Sequence, residues 1–255
     1  MEHFNRKQFG TKHFNTKLST RDQGRLRELV CKYRYLLLQA YWLLYLPWFA
    51  YLENTVTNHF HVIHMELDDA IPFLSVFCIP YFLWFGYVAI AFIYTYLHDK
   101  QEYVRTCVFL FTGMTIFLLV STVYPNGHYM RSNVILGNGV FDNLVRWLWA
   151  TDTATNLFPS IHVFNSIGAH IALMRSENLR DRKGIKLASF TLMCSIILAT
   201  VFIKQHSVFD VMTALLMALV LYPIAYGKAP ENAIERLRAY RQARRLRRKY
   251  KDVQW

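Results

Sequence analysis

Apolar residues run in long blocks along the chain, and the polar residues gather between the blocks. Six apolar stretches stand out: residues 35–52, 71–97, 107–123, 161–174, 187–203 and 208–226. A helix rises about 1.5 Å per residue and the hydrocarbon layer is roughly 30 Å thick, so about 20 apolar residues cross it. The second, third, fifth and sixth stretches meet this with a few flanking residues. The first is long enough although it holds Gln39 and Pro47. The fourth is short and carries Asn165, Ser166 and His170, so it is expected to face protein or water rather than lipid. The pattern therefore predicts an all-α, polytopic membrane protein, a bundle of six transmembrane helices. Residues 124–160 read as a structured loop with a short amphipathic helix over 140–149. No fixed-period repeat and no Gly/Ser- or Pro-rich linker divides the chain. Three parts are expected: a basic segment over 1–34, the membrane domain over 35–226, and a basic tail over 227–255 with the character of an amphipathic helix.

Composition strengthens this reading. At 54% hydrophobic and 16% aromatic residues, the chain lies outside the range of an ordinary soluble enzyme. The formal charge of +12 would suggest a nucleic-acid partner if it were spread over a soluble surface, but it is confined to the segments between apolar blocks. All of the 29 Lys and Arg except Arg131, Arg146 and Lys204 fall in segments that six spans place on one side, together with both termini. Positive residues stay cytoplasmic, so both termini are expected inside the cell and those three residues outside. The tail can rest on anionic head groups, each basic residue contributing about 1 kcal/mol, and this accounts for its charge without nucleic acid. The basic N-terminal segment has no apolar core or cleavage site, so no signal peptide is expected and the first span serves as its own insertion signal. The cysteines, Cys31 beside basic residues and Cys78, Cys107 and Cys194 within apolar runs, predict packing rather than disulfides.

Topology then gathers residues that are far apart in sequence. Arg131, Ser160, His162, Lys204, His206 and Asp210 all come to the extracytoplasmic face, where an ionisable group is costly unless it is paired or functional. Arg131 and Lys204 offer positive charge to a phosphate, and the fourth and sixth spans both begin on this face with their dipoles and free N–H groups directed at it. His206 and Asp210 are four residues apart, so on a helix the carboxylate can orient the imidazole. His162, with an ordinary pKa near neutrality, suits protonation of a leaving oxygen.

The run Phe158, Pro159, Ser160, Ile161, His162, followed by Lys204, Gln205, His206 and then Asp210, resembles the type 2 phosphatidic acid phosphatase superfamily of membrane lipid phosphatases. The resemblance covers about residues 124–210. It implies a six-helix bundle and a metal-independent phosphomonoesterase with no cofactor. His206 would form a phosphohistidine, Asp210 would support it, His162 would protonate the departing alcohol and Ser160 would bind phosphate oxygens. The sequence departs from the family pattern at Tyr124 and Ser132, where the first motif carries Lys and Pro around the residue matching Arg131, and at Thr200, where the third motif carries Arg. Lys204 is expected to supply that missing charge.

The expected activity is thus hydrolysis of a phosphorylated lipid, such as phosphatidate or an isoprenyl phosphate or diphosphate, at the outer face of the plasma membrane, with the bilayer as the other partner. A lipid phosphotransferase of the inositol phosphorylceramide or sphingomyelin synthase type would use the same residues with an alcohol as acceptor. A third reading makes Ser160 the nucleophile of a serine hydrolase, and a fourth is a non-catalytic scaffold. The segment holding His59, His61, His64, Glu66, Asp68 and Asp69 matches no strong zinc spacing, so no metal is expected. His128 reads as a loop hydrogen-bonder, His170 as an interhelical one, and Asp142 and Asp152 as solvated or capping residues.

Overall fold

A computed structural model describes residues 34–56, 59–227, 239–240 and 243. The expected basic segment over 1–34 lies almost wholly outside the described residues, as does most of the tail, of which residues 239, 240 and 243 are helical. The chain divides into a unit Met1–Leu37 and a main unit Leu38–Trp255.

The structure is mostly helical. A 3-10 segment, Arg34–Tyr41, leads into α1 (Trp42–Thr55). Then come β1 (His61–Val62), the short α2 (Glu66–Ala70), a 3-10 turn Ser75–Phe77 and α3 (Cys78–His98). Next are α4 (Lys100–Val123), β2 (Asn126–Gly127), a 3-10 turn Met130–Asn133 and α5 (Val140–Thr151). The chain continues through α6 (Ile161–Arg175), α7 (Lys183–Phe202) and α8 (Val208–Tyr226). The two strands pair in parallel, His61 opposite Asn126, and tie the segment after α1 to the segment after α4. Among the described residues, four helices are long and apolar enough to cross a membrane: Ser75–His98, Lys100–Val123, Lys183–Phe202 and Val208–Tyr226.

Two helix starts differ from the hydropathy blocks, each for a local reason. α4 begins at Lys100, well before the apolar block at Cys107, because the Asp99 carboxylate accepts the N–H groups of Gln101 and Glu102 at 2.8 and 3.0 Å. The helical path into α3 begins at Ser75 rather than Ile71. The preceding residues are held extended, with the Leu74 N–H on the Phe202 carbonyl and the Ile71 carbonyl taken by Lys204.

α6, the short polar stretch, packs against α3, α4, α7 and α8 and is buried along most of its length. This enclosure explains how Asn165, Ser166 and His170 are tolerated: they meet protein. His170 shares a hydrogen bond with Ser189 of α7 at 2.9 Å, and the same hydroxyl meets Tyr87 of α3 at 2.7 Å. α6 approaches α4 closely because Gly113 leaves a notch for the Phe164 ring, which stacks on Phe109 at 4.7 Å. A methyl group at Gly113 would lie far inside van der Waals contact with that ring. We therefore expect Gly113→Ala to lower thermal stability in detergent by about 1–3 kcal/mol through overpacking. Gly86 has open space, and Gly86→Ala is expected to stabilise by up to about 1 kcal/mol.

Contacts fix which helix ends lie together. Phe77 packs on Phe202, Tyr81 lies against His162, and His162 meets His206, so α3 and α6 start, and α7 ends, at one end of the bundle. At the other end Glu102 pairs with Arg175 at 3.1 Å, and Arg175 reaches the Tyr222 hydroxyl.

Candidate active site

The site is assembled where α7 stops and α8 starts. Lys204 takes φ 53°, a left-handed conformation that ordinary residues adopt at a cost of about 1 kcal/mol. Its N–H bonds the Val201 carbonyl at 3.2 Å and the Gln205 N–H bonds the Thr200 carbonyl at 2.9 Å, the paired pattern that closes a helix C-terminus with glycine in this place. Lysine occupies it because its ammonium donates to the carbonyls of Asp68 and Ile71 at 2.7 and 2.6 Å, fastening the 68–71 segment to the turn. Since Gly and Ala both lose those bonds and only Ala keeps the backbone penalty, Lys204→Ala is expected to be less stable than Lys204→Gly by about 1 kcal/mol in thermal unfolding.

The turn delivers His206 against His162. The two imidazoles meet Nε2 to Nδ1 at 3.3 Å, and His206 Nδ1 lies 3.4 Å from Asp210 Oδ2. His206 Nδ1 faces the Asp210 carboxylate without a hydrogen bond to it; with the proton assigned to Nδ1, His206 Nε2 presents its lone pair to His162 Nδ1. His206 is 4% and His162 9% exposed. His206 Nδ1, Asp210 Oδ1 and Asn165 Oδ1 are buried without a hydrogen-bond partner. Aromatic rings of α3 wall the pair: Tyr81 and Trp84 lie 4.6 and 4.4 Å from the His162 ring.

Asp210 also caps its own helix. Its Oδ2 accepts the Ser207 N–H at 3.0 Å and the Ser207 hydroxyl accepts the Phe209 N–H at 3.1 Å. The start of α8 is not open to an external anion as expected, because Asp68 already occupies it. Asp68 accepts the Ser207 hydroxyl at 2.6 Å, the Val208 N–H at 2.8 Å and the Met65 N–H at 2.8 Å.

The other expected phosphate ligands are placed differently from the expectation. The Arg131 guanidinium donates to the carbonyls of Asp152, Thr153 and Lys204 at 2.8, 3.2 and 3.3 Å and to the Gln205 side chain, and it lies over the Trp149 ring. It clamps the loop beside the histidines and contributes charge there rather than an open fork. The Lys204 ammonium is turned to the 68–71 segment. The Ser160 hydroxyl caps α6, accepting the Val163 N–H at 3.4 Å, and it forms no hydrogen bond with either imidazole. That placement gives Ser160 a capping role and no imidazole contact.

A second polar layer supports the pair. Gln205 donates to Asp152 at 2.8 Å and to the Tyr81 hydroxyl at 3.1 Å, and Tyr81 donates to Asp152 at 2.6 Å. His128 Nε2 meets the Gln205 carbonyl at 3.1 Å, and its Nδ1 accepts the Met130 N–H. Asp68, Gln205, Tyr81 and Asp152 were not legible as site residues. A carboxylate 140 positions from its partner N–H and a glutamine between two candidates carry no spacing signal. Among the described residues, no group of three or more His, Cys, Asp or Glu side chains is arranged to hold a metal ion; His64 pairs with Asp69 at 3.0 Å.

Burial pulls the pKa of His206 down to about 4, with the nearby Arg131 charge acting in the same direction, and pulls His128 down to about 3 for the same two reasons. Both are neutral at pH 7, so His206 holds its lone pair ready. In the unfolded chain they titrate near 6.5, so the unfolded state binds more protons between pH 6.5 and the folded values. Stability should be full above pH 6.5 and fall as the pH drops towards 4. Thermal unfolding from pH 8 to 4 checks this, with a flatter profile expected for His128→Asn. A wild-type midpoint unchanged over that range would contradict it.

Comparison with known protein families, with characterised proteins and with solved structures returned no match.

Proposed function

We propose that the chain is a membrane-embedded lipid phosphatase that works through a phosphohistidine on His206, as its resemblance to the type 2 phosphatidic acid phosphatases implies. The observation that carries this reading is the contact of two buried imidazoles from separate elements, one of them backed by a carboxylate. In the proposed topology α1 and α6 join the four long apolar helices as spans, both termini are cytoplasmic and the histidine pair faces the outside of the plasma membrane. The near-absence of Lys and Arg at the histidine end of the bundle supports this orientation.

A phosphate entering between the rings would break the His162–His206 contact. His206 Nε2 attacks phosphorus, forming the P–N bond as the P–O bond to the lipid alcohol breaks. His162 takes a proton from the incoming phosphate monoester, and the imidazolium so formed passes its Nδ1 proton to the departing oxygen and returns to the neutral ring. Asp210 stabilises the imidazolium character that develops on His206. Water, deprotonated by His162, then attacks phosphorus, the P–N bond breaks and inorganic phosphate leaves. The fixed Arg131 charge favours the anionic group.

The enclosure of both imidazoles favours a second reading, transfer to a lipid alcohol in place of water. Purified protein given phosphatidate in detergent, with and without an added lipid alcohol, separates the two. Phosphate release without acceptor is expected for the phosphatase; acceptor-dependent formation of a new phospholipid alone identifies the transferase; neither product contradicts both.

A further inference from the structure

The face of α5 that remains uncovered has no place in this chemistry. Its residues fall into three sectors. Val145 and Leu148 are 0% and 4% exposed and pack with Cys78, Tyr81, Ala199 and Ile203 at the histidine end of the bundle. Asn143 and Arg146 are exposed on a polar flank, where Arg146 donates to the Gly137 carbonyl. On the remaining flank Val140, Leu144 and Trp147 recur at i, i+4 and i+7, apolar yet 74%, 38% and 59% exposed.

This stripe is continuous with the outward surface of α3. Trp147 packs on Phe82 at a ring distance of 5.9 Å, and Ile79, Leu83 and Phe85 beside it are exposed residues of a helix apolar enough to cross a membrane. Phe82 lies seven residues beyond the start of the Ser75–His98 span, a depth of about 10 Å at 1.5 Å per residue. An amphipathic helix seated in a leaflet buries its apolar face about 5–10 Å into the boundary of head groups and acyl chains, with Trp favoured at that level. A soluble partner would have to cover Leu144 and Trp147 at a depth that lipid already occupies around α3.

We propose that α5 is an interfacial helix, embedded by Val140, Leu144 and Trp147 in the leaflet at the histidine end of the bundle, with Asn143 and Arg146 towards the head groups and water. The seat holds whether or not the histidine pair is catalytic, since it rests on the apolar surface of α3 alone. It also bears on the site: Asp152, the residue that follows α5, accepts from Tyr81 and Gln205, so the leaflet and the polar layer under the imidazoles share one rigid connection.

The test is nitroxide accessibility in the full chain reconstituted in lipid nanodiscs. Single labels are placed at Val140→Cys, Leu144→Cys, Asn143→Cys and Ala150→Cys, all exposed positions, in a background with Cys31 and Cys194 replaced by Ser. Collision with oxygen should exceed collision with a water-soluble nickel chelate at 140 and 144, and the order should reverse at 143 and 150. Labels at 140 and 144 as open to nickel as that at 143 would overturn the proposal by placing the helix in water. Labels shielded from both reagents would overturn it in favour of a protein contact, such as a second copy of the chain.

Discussion

Replacing His206 with Ala is expected to reduce phosphate release from a lipid phosphate by a factor on the order of 10^4 or more, since the imidazole that meets His162 and would take the phosphoryl group is removed. His162→Ala should cost on the order of 10^2 to 10^4, the range supplied by a positioned proton donor. Asp210→Asn leaves a side chain of similar shape and should cost on the order of 10^2 to 10^4, because an amide can present its N–H to His206 Nδ1 and favour the wrong tautomer. Ser160→Ala separates this mechanism from a serine one. It removes only the cap of α6, so about 1 kcal/mol of stability should be lost while turnover is largely kept. Rates from purified variants of matched folding check the series. Loss with Ser160→Ala equal to that with His206→Ala would contradict it.

The second large effect is on stability. Asp68→Ala is expected to destabilise the protein by about 3–5 kcal/mol, because a buried carboxylate with three donors is removed and each donor left behind is itself desolvated. The loss should reach the site as well, since Ser207 and Val208 directly follow His206 and would no longer be held. Activity should therefore fall at temperatures where the remaining fold persists. Asp69 provides the contrast: its side chain is 70% exposed and pairs only with His64, so Asp69→Ala should change stability by less than about 0.5 kcal/mol. Thermal unfolding in detergent compares the two. Equal effects would show that Asp68 is not the tie between α2 and the start of α8.

The helices that hydropathy reads well are those whose ends coincide with caps that are local in sequence. α8 runs from Val208 to Tyr226, as the apolar pattern indicates, because Ser207 and Asp210 cap it from within the same turn. α5 appears where its amphipathic period places it, extended to Thr151. The start of α3 was not legible, since the extended segment before it depends on Lys204 and Phe202, more than 100 residues downstream. The same limit applies to the site. His162, His206 and Asp210 were legible because helix ends and a four-residue spacing bring them together. Asp68 was not, because its hydrogen bonds to α8 cross 140 positions. Arg131 and Lys204 were legible as unusual charges, but sequence does not reveal that backbone carbonyls already take their hydrogen bonds. Positive charge outside a membrane suggests an anion, whereas these two cations hold loops.

The most direct test of the paired-imidazole mechanism is rapid acid-free quenching of the purified protein during turnover of phosphatidate labelled with 32P in the phosphate group, followed by peptide mapping. The expected result is an adduct that is labile to acid, stable to alkali and located on His206, absent from His206→Ala and retained in Ser160→Ala. An acid-stable adduct on serine, or turnover that continues in His206→Ala, would contradict it.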